Sequence, residues 1–221
     1  VPQHLSLAVF ISGRGSNLGA LISACRRDGF PARVSMVFSN RVDAVGLEIA
    51  RNAGLPTEVV SHRDFPNRAA FDAEITRRLA GYKIDLICLA GFMRLLTPEF
   101  VQAWRDRLIN IHPSLLPSFP GLDTHARALE AGVRITGCTV HFVRPGMDEG
   151  PIIIQAAVPV MEGDDEAALA ARVLAAEHRI YPRAIELIAS RALAIDGDRV
   201  RCGGHIDTPP ALLHPWSETG S

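Results

Sequence analysis

Short runs of β-branched and apolar residues alternate, through the first two thirds of the chain, with stretches whose apolar positions recur every three to four residues. That alternation predicts strand–helix–strand units packed around a parallel sheet. The first strand falls at Leu5 to Ser12, followed by a glycine-rich turn and a helix from about Asn17 to Arg27. A second strand at Val34 to Phe38 leads to a helix over Ala44 to Ala53, with Gly54 as its C-terminal stop. Thr57 to Ser61 reads as a short third strand. Asn67 to Leu79 reads as a helix with Ala70, Phe71, Ile75 and Leu79 on one face. Leu86 to Ala90 is apolar without interruption, the pattern of a strand covered on both faces. Thr97-Pro98-Glu99 opens the next helix with a cap and a proline at its first position, and Leu108 to His112 forms the strand after it.

Beyond residue 135 the pattern changes. Thr139 to Val143 and Pro151 to Val160 are two strands joined by the seven-residue loop Arg144 to Gly150, which predicts an antiparallel pair. Asp164-Asp165 caps a long helix running to about Ser190, which Pro182 is expected to kink or break. The expected fold class is α/β: a Rossmann-like, mostly parallel twisted sheet flanked by helices, with an antiparallel strand pair in the C-terminal half. No repeat or linker divides residues 1–190. They are expected to form one domain, with phosphate binding in about 1–105 and catalysis in about 106–190. Residues 191–221 read as a short strand segment and a flexible tail, poorly ordered from Pro209 onward.

Composition narrows the function. A formal net charge of -1, with charges scattered, leaves no basic stripe for nucleic acid and no membrane anchor. Small molecules are the expected partners, with a monomer or weak homodimer as the expected state. Cys25, Cys88, Cys138 and Cys202 are far apart, form no CxxC pair and fit a reduced cytoplasm. The apolar run Leu5 to Ile11 is too short and too lightly charged for a signal peptide, and no run reaches a membrane span. Lys83 is the single lysine, in a turn, which disfavours Schiff-base or P-loop chemistry.

The turn Ser12-Gly13-Arg14-Gly15-Ser16-Asn17 lies where helix N-terminal amides bind phosphate. As a dinucleotide fingerprint it is incomplete: Leu18 stands where the third glycine belongs, and Ser39-Asn40-Arg41 lacks the acidic group that holds a ribose. Arg41 keeps an NADP-binding reading open. The better reading is a phosphomonoester held by the amides of Gly15, Ser16 and Asn17, helped by the Ser16 hydroxyl and the Asn17 side chain.

The segment Leu108-Ile109-Asn110-Ile111-His112-Pro113 ends a strand with an amide and an imidazole two positions apart. Residues i and i+2 share a face, so the two would project together. A histidine acting near neutral pH needs a partner that orients or charge-stabilises it, and Asp148, between Gly146 and Gly150, is the candidate. No HxxxH or HExxH pair occurs, so no metal is expected. His141 is expected to pack or bond within its strand. Ser114 lacks the preceding glycine of a nucleophile elbow.

Taken in order, ISGRGSNL, VFSNR, AGLP, LAGFMRLL, INIHPSLLP, GLDTHARALE, TGCTVHFV, DEGPII and EHRIYPRAI resemble the glycinamide ribonucleotide formyltransferases, folate-dependent enzymes of purine synthesis, over about residues 5 to 190. The resemblance implies the formyltransferase fold, with 10-formyltetrahydrofolate as co-substrate and 5-phosphoribosylglycinamide as the acceptor of the formyl group. It implies Asn110, His112 and Asp148 as catalytic residues, and Gly15, Ser16 and Asn17 as the phosphate loop. Glu177 would meet the ribose hydroxyls. Met93, Arg94, Leu95 and Leu96, with Asn110, would line the pterin pocket, and Arg68 would meet the folate tail. Asn110 and a protonated His112 would hold the oxyanion of the transferring group, and Asp148 would support His112 and a proton-relaying water. Ser118 and Asp123 depart from the family pattern. Two other folate-dependent enzymes share the asparagine, histidine and aspartate: methionyl-tRNA formyltransferase, expected to add a basic C-terminal domain, and formyltetrahydrofolate hydrolase, expected to add an N-terminal one. An NADP-binding oxidoreductase is the rival from another class.

Overall fold

A computed structural model describes residues 4–203 together with Leu212 and His214. The first half alternates strand and helix: β1 (Leu5–Ile11), α1 (Ser16–Cys25), β2 (Ala32–Ser39), α2 (Gly46–Asn52), β3 (Thr57–Val59), α3 (Arg68–Leu79), β4 (Leu86–Leu89), α4 (Pro98–Ala103) and β5 (Leu108–His112). A single 3-10 turn at His62–Asp64 stands between β3 and α3. Then follow α5 (Thr124–Glu130), β6 (Ile135–Phe142), β7 (Ile152–Pro159), α6 (Glu166–Ala189) and a separate hairpin, β8 (Leu193–Asp196) with β9 (Arg199–Cys202).

The main sheet runs in the order β3-β2-β1-β4-β5-β6-β7. Its first five strands pair in parallel, and β6 runs antiparallel to both β5 and β7. The strand order reverses between β1 and β4, the switch point at which open α/β sheets bind ligands.

Helices cover both faces because β1 is apolar without interruption from Leu7 to Ile11. Leu7, Val9 and Ile11 pack with Leu18 and Leu21 of α1 and Tyr181 of α6. Ala8 and Phe10 point the other way, into a cluster with Phe38, Phe71 and Phe92. There the Phe10 and Phe38 ring centroids lie 4.8 Å apart. Complete burial of each such side chain contributes about 1.5–3 kcal/mol.

Local capping follows the sequence. The side chains of Asn67, Thr97 and Asp165 each accept a backbone N–H at the start of their helices, from Ala70, Phe100 and Ala168. β5 ends at His112, where Pro113 has no amide to continue the ladder.

Several boundaries differ from expectation. β6 begins four residues earlier than the pattern suggested, because β7 pairs with it from Ile135 onward and gives Thr136 and Gly137 partners. Of the kink or break expected at Pro182, the break does not occur. α6 runs through it, with Tyr181, Pro182 and Ile185 all buried, so packing of the apolar face outweighs the lost hydrogen bond. The strand segment after residue 190 is a two-stranded hairpin. The tail expected from Pro209 onward lies outside the described residues, apart from Leu212 and His214.

Candidate active site

The turn after β1 is built by two glycines in backbone contact. Gly15 caps α1 with φ +74°, a left-handed conformation, and a Cβ placed on it would stand 2.6 Å from the Cα of Gly46. The Gly46 N–H donates to the Gly13 carbonyl at 2.9 Å and locks the two loops together. Gly46 carried no sequence motif and escaped the sequence reading. The first turn of α1 leaves the N–H groups of Ser16 and Asn17 without intrahelical acceptors, and these amides sit beyond the sheet at the switch point.

The Asn17 side chain has a partner in the structure: its Nδ2 donates one hydrogen to Glu177 Oε2 at 2.7 Å. Glu177, buried on α6, has its carboxyl pushed up by desolvation, with the Asn17 hydrogen bond opposing. Asn17 and Glu177, 160 positions apart in the chain, thus form one polar pair beside the glycine loop.

At the end of β5, His112 is buried and its Nε2 lies 3.0 Å from the Phe119 carbonyl oxygen. A carbonyl only accepts, so Nε2 carries the hydrogen and donates it. Nδ1 lies 3.4 Å from Asp148 Oδ1, while Asp148 Oδ2 accepts from the Gly121 N–H at 2.6 Å. The imidazole therefore has one nitrogen available for chemistry, Nδ1, on the side of the carboxylate.

Asn110, two residues earlier, sits opposite His141 of β6. Its Nδ2 lies 3.3 Å from His141 Nε2, and His141 Nδ1 lies 3.1 Å from the Phe142 carbonyl. His141 must donate through Nδ1 and accept through Nε2. Its burial agrees, since desolvation is the largest influence on its pKa and lowers it, favouring the neutral ring. The Asn110 amide is thereby held with one N–H on His141 and the second free. Sequence reading placed His141 within its own strand and did not foresee this cross-strand role.

Thr139, opposite His112, joins the elements behind the site. Its hydroxyl donates to the Ser114 carbonyl at 2.7 Å and accepts from the Leu116 N–H at 3.1 Å and from Gln155 Nε2 at 2.9 Å.

A slot of about 110 Å³ opens beside Asn110, with Leu89, Phe92 and Leu96 among its apolar walls and Asp148 among its polar ones. Arg94 and Leu95 also line it. Met93 does not: it is 66% exposed, and its N–H donates to Ser12 Oγ at 2.8 Å. Arg68 opens α3 on the surface, and its charge is felt, with that of Arg94, at the buried carboxyl of Asp72. Among the described residues, no three His, Cys, Asp or Glu side chains converge as a metal-binding group, and no helix is long and apolar enough to cross a membrane.

Comparison with known proteins places the chain in a family. The profile described as formyl transferase matches residues 5–185. Phosphoribosylglycinamide formyltransferase of Escherichia coli K12 is 46% identical over 208 residues, covering 91% of this chain and 98% of that protein. The trifunctional purine biosynthetic protein adenosine-3 of Drosophila pseudoobscura pseudoobscura is 55% identical over 189 residues, but the chain spans only 14% of its length. Glycinamide ribonucleotide transformylase 1 from Symbiobacterium toebii superimposes with a TM-score of 0.90 at 51% identity, over 92% of this chain and 96% of that one. On this match of sequence and fold, the chain belongs to the formyl transferase family.

Proposed function

We propose that the chain transfers the formyl group of 10-formyltetrahydrofolate to the primary amine of 5-phosphoribosylglycinamide, in the cytoplasm and without a metal. What supports this reading is one end of the sheet: β1, β4 and β5 run parallel, so the amide-rich turn after β1 and the Asn110–His112 pair of β5 lie at their C-terminal ends, with Asp148 facing His112 and the slot beside Asn110.

In this reading the backbone N–H groups of Gly15, Ser16 and Asn17 hold the phosphate, where the helix N-terminus favours an anion. Glu177 meets the ribose hydroxyls from beside Asn17. The folate ring system enters the slot along Arg94, Leu95 and Leu96, with Met93 and Arg68 on the outer path toward its tail. As the amine attacks, negative charge develops on the formyl oxygen. The free N–H of Asn110 and a proton on His112 Nδ1 stabilise it, an arrangement whose value comes from donors fixed before the reaction starts. The Asp148 carboxylate lies beside the ring and offsets its positive charge, while its other oxygen is tied to Gly121. A water held at the carboxylate relays the amine's proton to the departing folate nitrogen.

Incubation of the protein with both substrates should yield the formylated nucleotide, detected by mass spectrometry. His112→Ala and Asp148→Asn should each fold normally by circular dichroism and lose turnover by about a hundredfold or more. Near-normal turnover in both variants would overturn the assignment.

A further inference from the structure

Arg144 is the one arginine among the described residues that is over nine-tenths buried, with 8% of its surface exposed. It begins the loop 144–150 that carries Asp148, and it touches both stems of that loop. Its backbone N–H donates to the Glu149 carbonyl at 3.2 Å. Its side-chain stem lies against Gly150, where an added Cβ would stand 3.0 Å from Arg144 Cγ. The guanidinium then reaches out of the loop altogether. One terminal nitrogen donates to the Val143 carbonyl at 3.2 Å, and the other to Asp106 Oδ1 at 2.7 Å.

Asp106 lies in the turn just before β5, so the Arg144–Asp106 pair fixes the loop to the N-terminal end of that strand. The loop is fixed at its far side by Asp148, which meets Gly121 and faces His112 at the C-terminal end of the same strand. Those ends are four residues apart, about 13 Å at the rise of a strand. The loop is thus strung over β5 between two charged anchors. The Asp106 side chain is 41% exposed, so the pair keeps one hydrated partner and avoids the full cost of burying both charges. Arg144 also lines the slot, and its Nε is buried without a partner among the described residues.

We propose that Arg144 is a positioning residue of the reaction: paired with Asp106 and packed on Gly150, it sets the loop so that Asp148 meets His112. The proposal rests on the formyl-transfer reading above, and the experiment separates the two.

Arg144→Met keeps the packed stem and removes the pairing. It should lower kcat by about tenfold or more, since a small displacement of a catalytic group carries a penalty of that order, and raise KM for the folate co-substrate. KM for the nucleotide should stay within about twofold, because among the described residues no hydrogen bond or ion pair joins the loop to Gly15, Ser16 or Asn17. Asp106→Asn, altered at a half-exposed side chain, should move kcat in the same direction by less, and it remains informative even if Arg144→Met fails to fold. The double variant Arg144→Met/Asp148→Asn should be no slower than Asp148→Asn alone, because groups acting as a unit lose their function once. Wild-type kcat and folate KM in Arg144→Met, equal rises in both KM values, or a double variant that multiplies the two losses would each overturn the proposal. If His112→Ala remains active, the formyl-transfer site itself is misread. If His112→Ala is inactive and Arg144→Met is not, only the role of Arg144 falls.

Discussion

Alanine at Gly15 adds a single methyl group, and the structure separates the two penalties it brings. The first is conformational: φ of +74° places an L-residue in the left-handed region, which costs about 1–2 kcal/mol. The second is steric: the new Cβ would stand 2.6 Å from Gly46 Cα, a backbone atom that no rotamer change can move. Forcing a methyl group into packed structure costs about 1–3 kcal/mol, so Gly15→Ala should lose about 2–5 kcal/mol in all. At this chain length that lowers the melting temperature by on the order of 10 °C. Two other glycines serve as controls. Gly54 has φ +73° with nothing within 4 Å, so Gly54→Ala should lose the conformational share alone, about 1–2 kcal/mol. Gly13 has neither feature, and Gly13→Ala should stay within about 0.5 kcal/mol of wild type. Urea and thermal unfolding of the three variants give the ranking, and calorimetric titration of the nucleotide gives the functional consequence. If Gly15→Ala melts alongside Gly54→Ala, the Gly15–Gly46 contact carries no weight. Unchanged nucleotide affinity in Gly15→Ala would refute the phosphate cradle.

Three further outcomes follow from the site. Thr139→Val strips the partner from the Leu116 N–H and a donor from the Ser114 carbonyl, and should lose about 2–4 kcal/mol in urea unfolding; a neutral result would mean those groups find other partners. Burial lowers the pKa of His141 below its ordinary 6.5, so near pH 6 the unfolded chain binds a proton that the folded one refuses. Stability should therefore fall as the pH drops from about 7 toward 5, and His141→Asn should make that slope shallower, His125 and His178 still contributing in the same sense; an unchanged slope would count against a neutral His141. Glu177→Gln keeps an acceptor for Asn17 and removes a carboxyl whose charge burial disfavours, so stability should hold or rise. Nucleotide KM should nonetheless rise by about tenfold, the worth of a charge-assisted hydrogen bond to the ribose; wild-type KM would remove Glu177 from the site.

Much of the architecture was legible because local patterns have local causes. Leu86 to Ala90 reads as a buried strand from its unbroken apolar run, and Thr97-Pro98 reads as a helix start from the cap and the missing amide. That Pro182 does not end its helix was hidden for the opposite reason. Its local cost is real, but the burial of Tyr181 and Ile185 on the same helix outweighs it, and no window of sequence contains the surface they pack against. The site divides the same way. Asn110 and His112 share a strand face by spacing alone, whereas Gly46, His141, Thr139 and Arg144 act on residues remote in sequence.

The sequence by itself determined which chemistry this chain can hold: a glycine turn before a helix, an amide and an imidazole at a strand end, and a carboxylate in a glycine-flanked loop. Backbone sterics and strand periodicity act within a few residues, so these features are written locally. Only the tertiary structure decided which atoms are free to act. Phe119 occupies His112 Nε2 and leaves Nδ1 to Asp148, His141 orients the Asn110 amide, and Glu177 takes the Asn17 side chain. Each of those assignments depends on a hydrogen-bond partner brought from elsewhere in the chain. A donor or acceptor is free only after every neighbour in space has been counted.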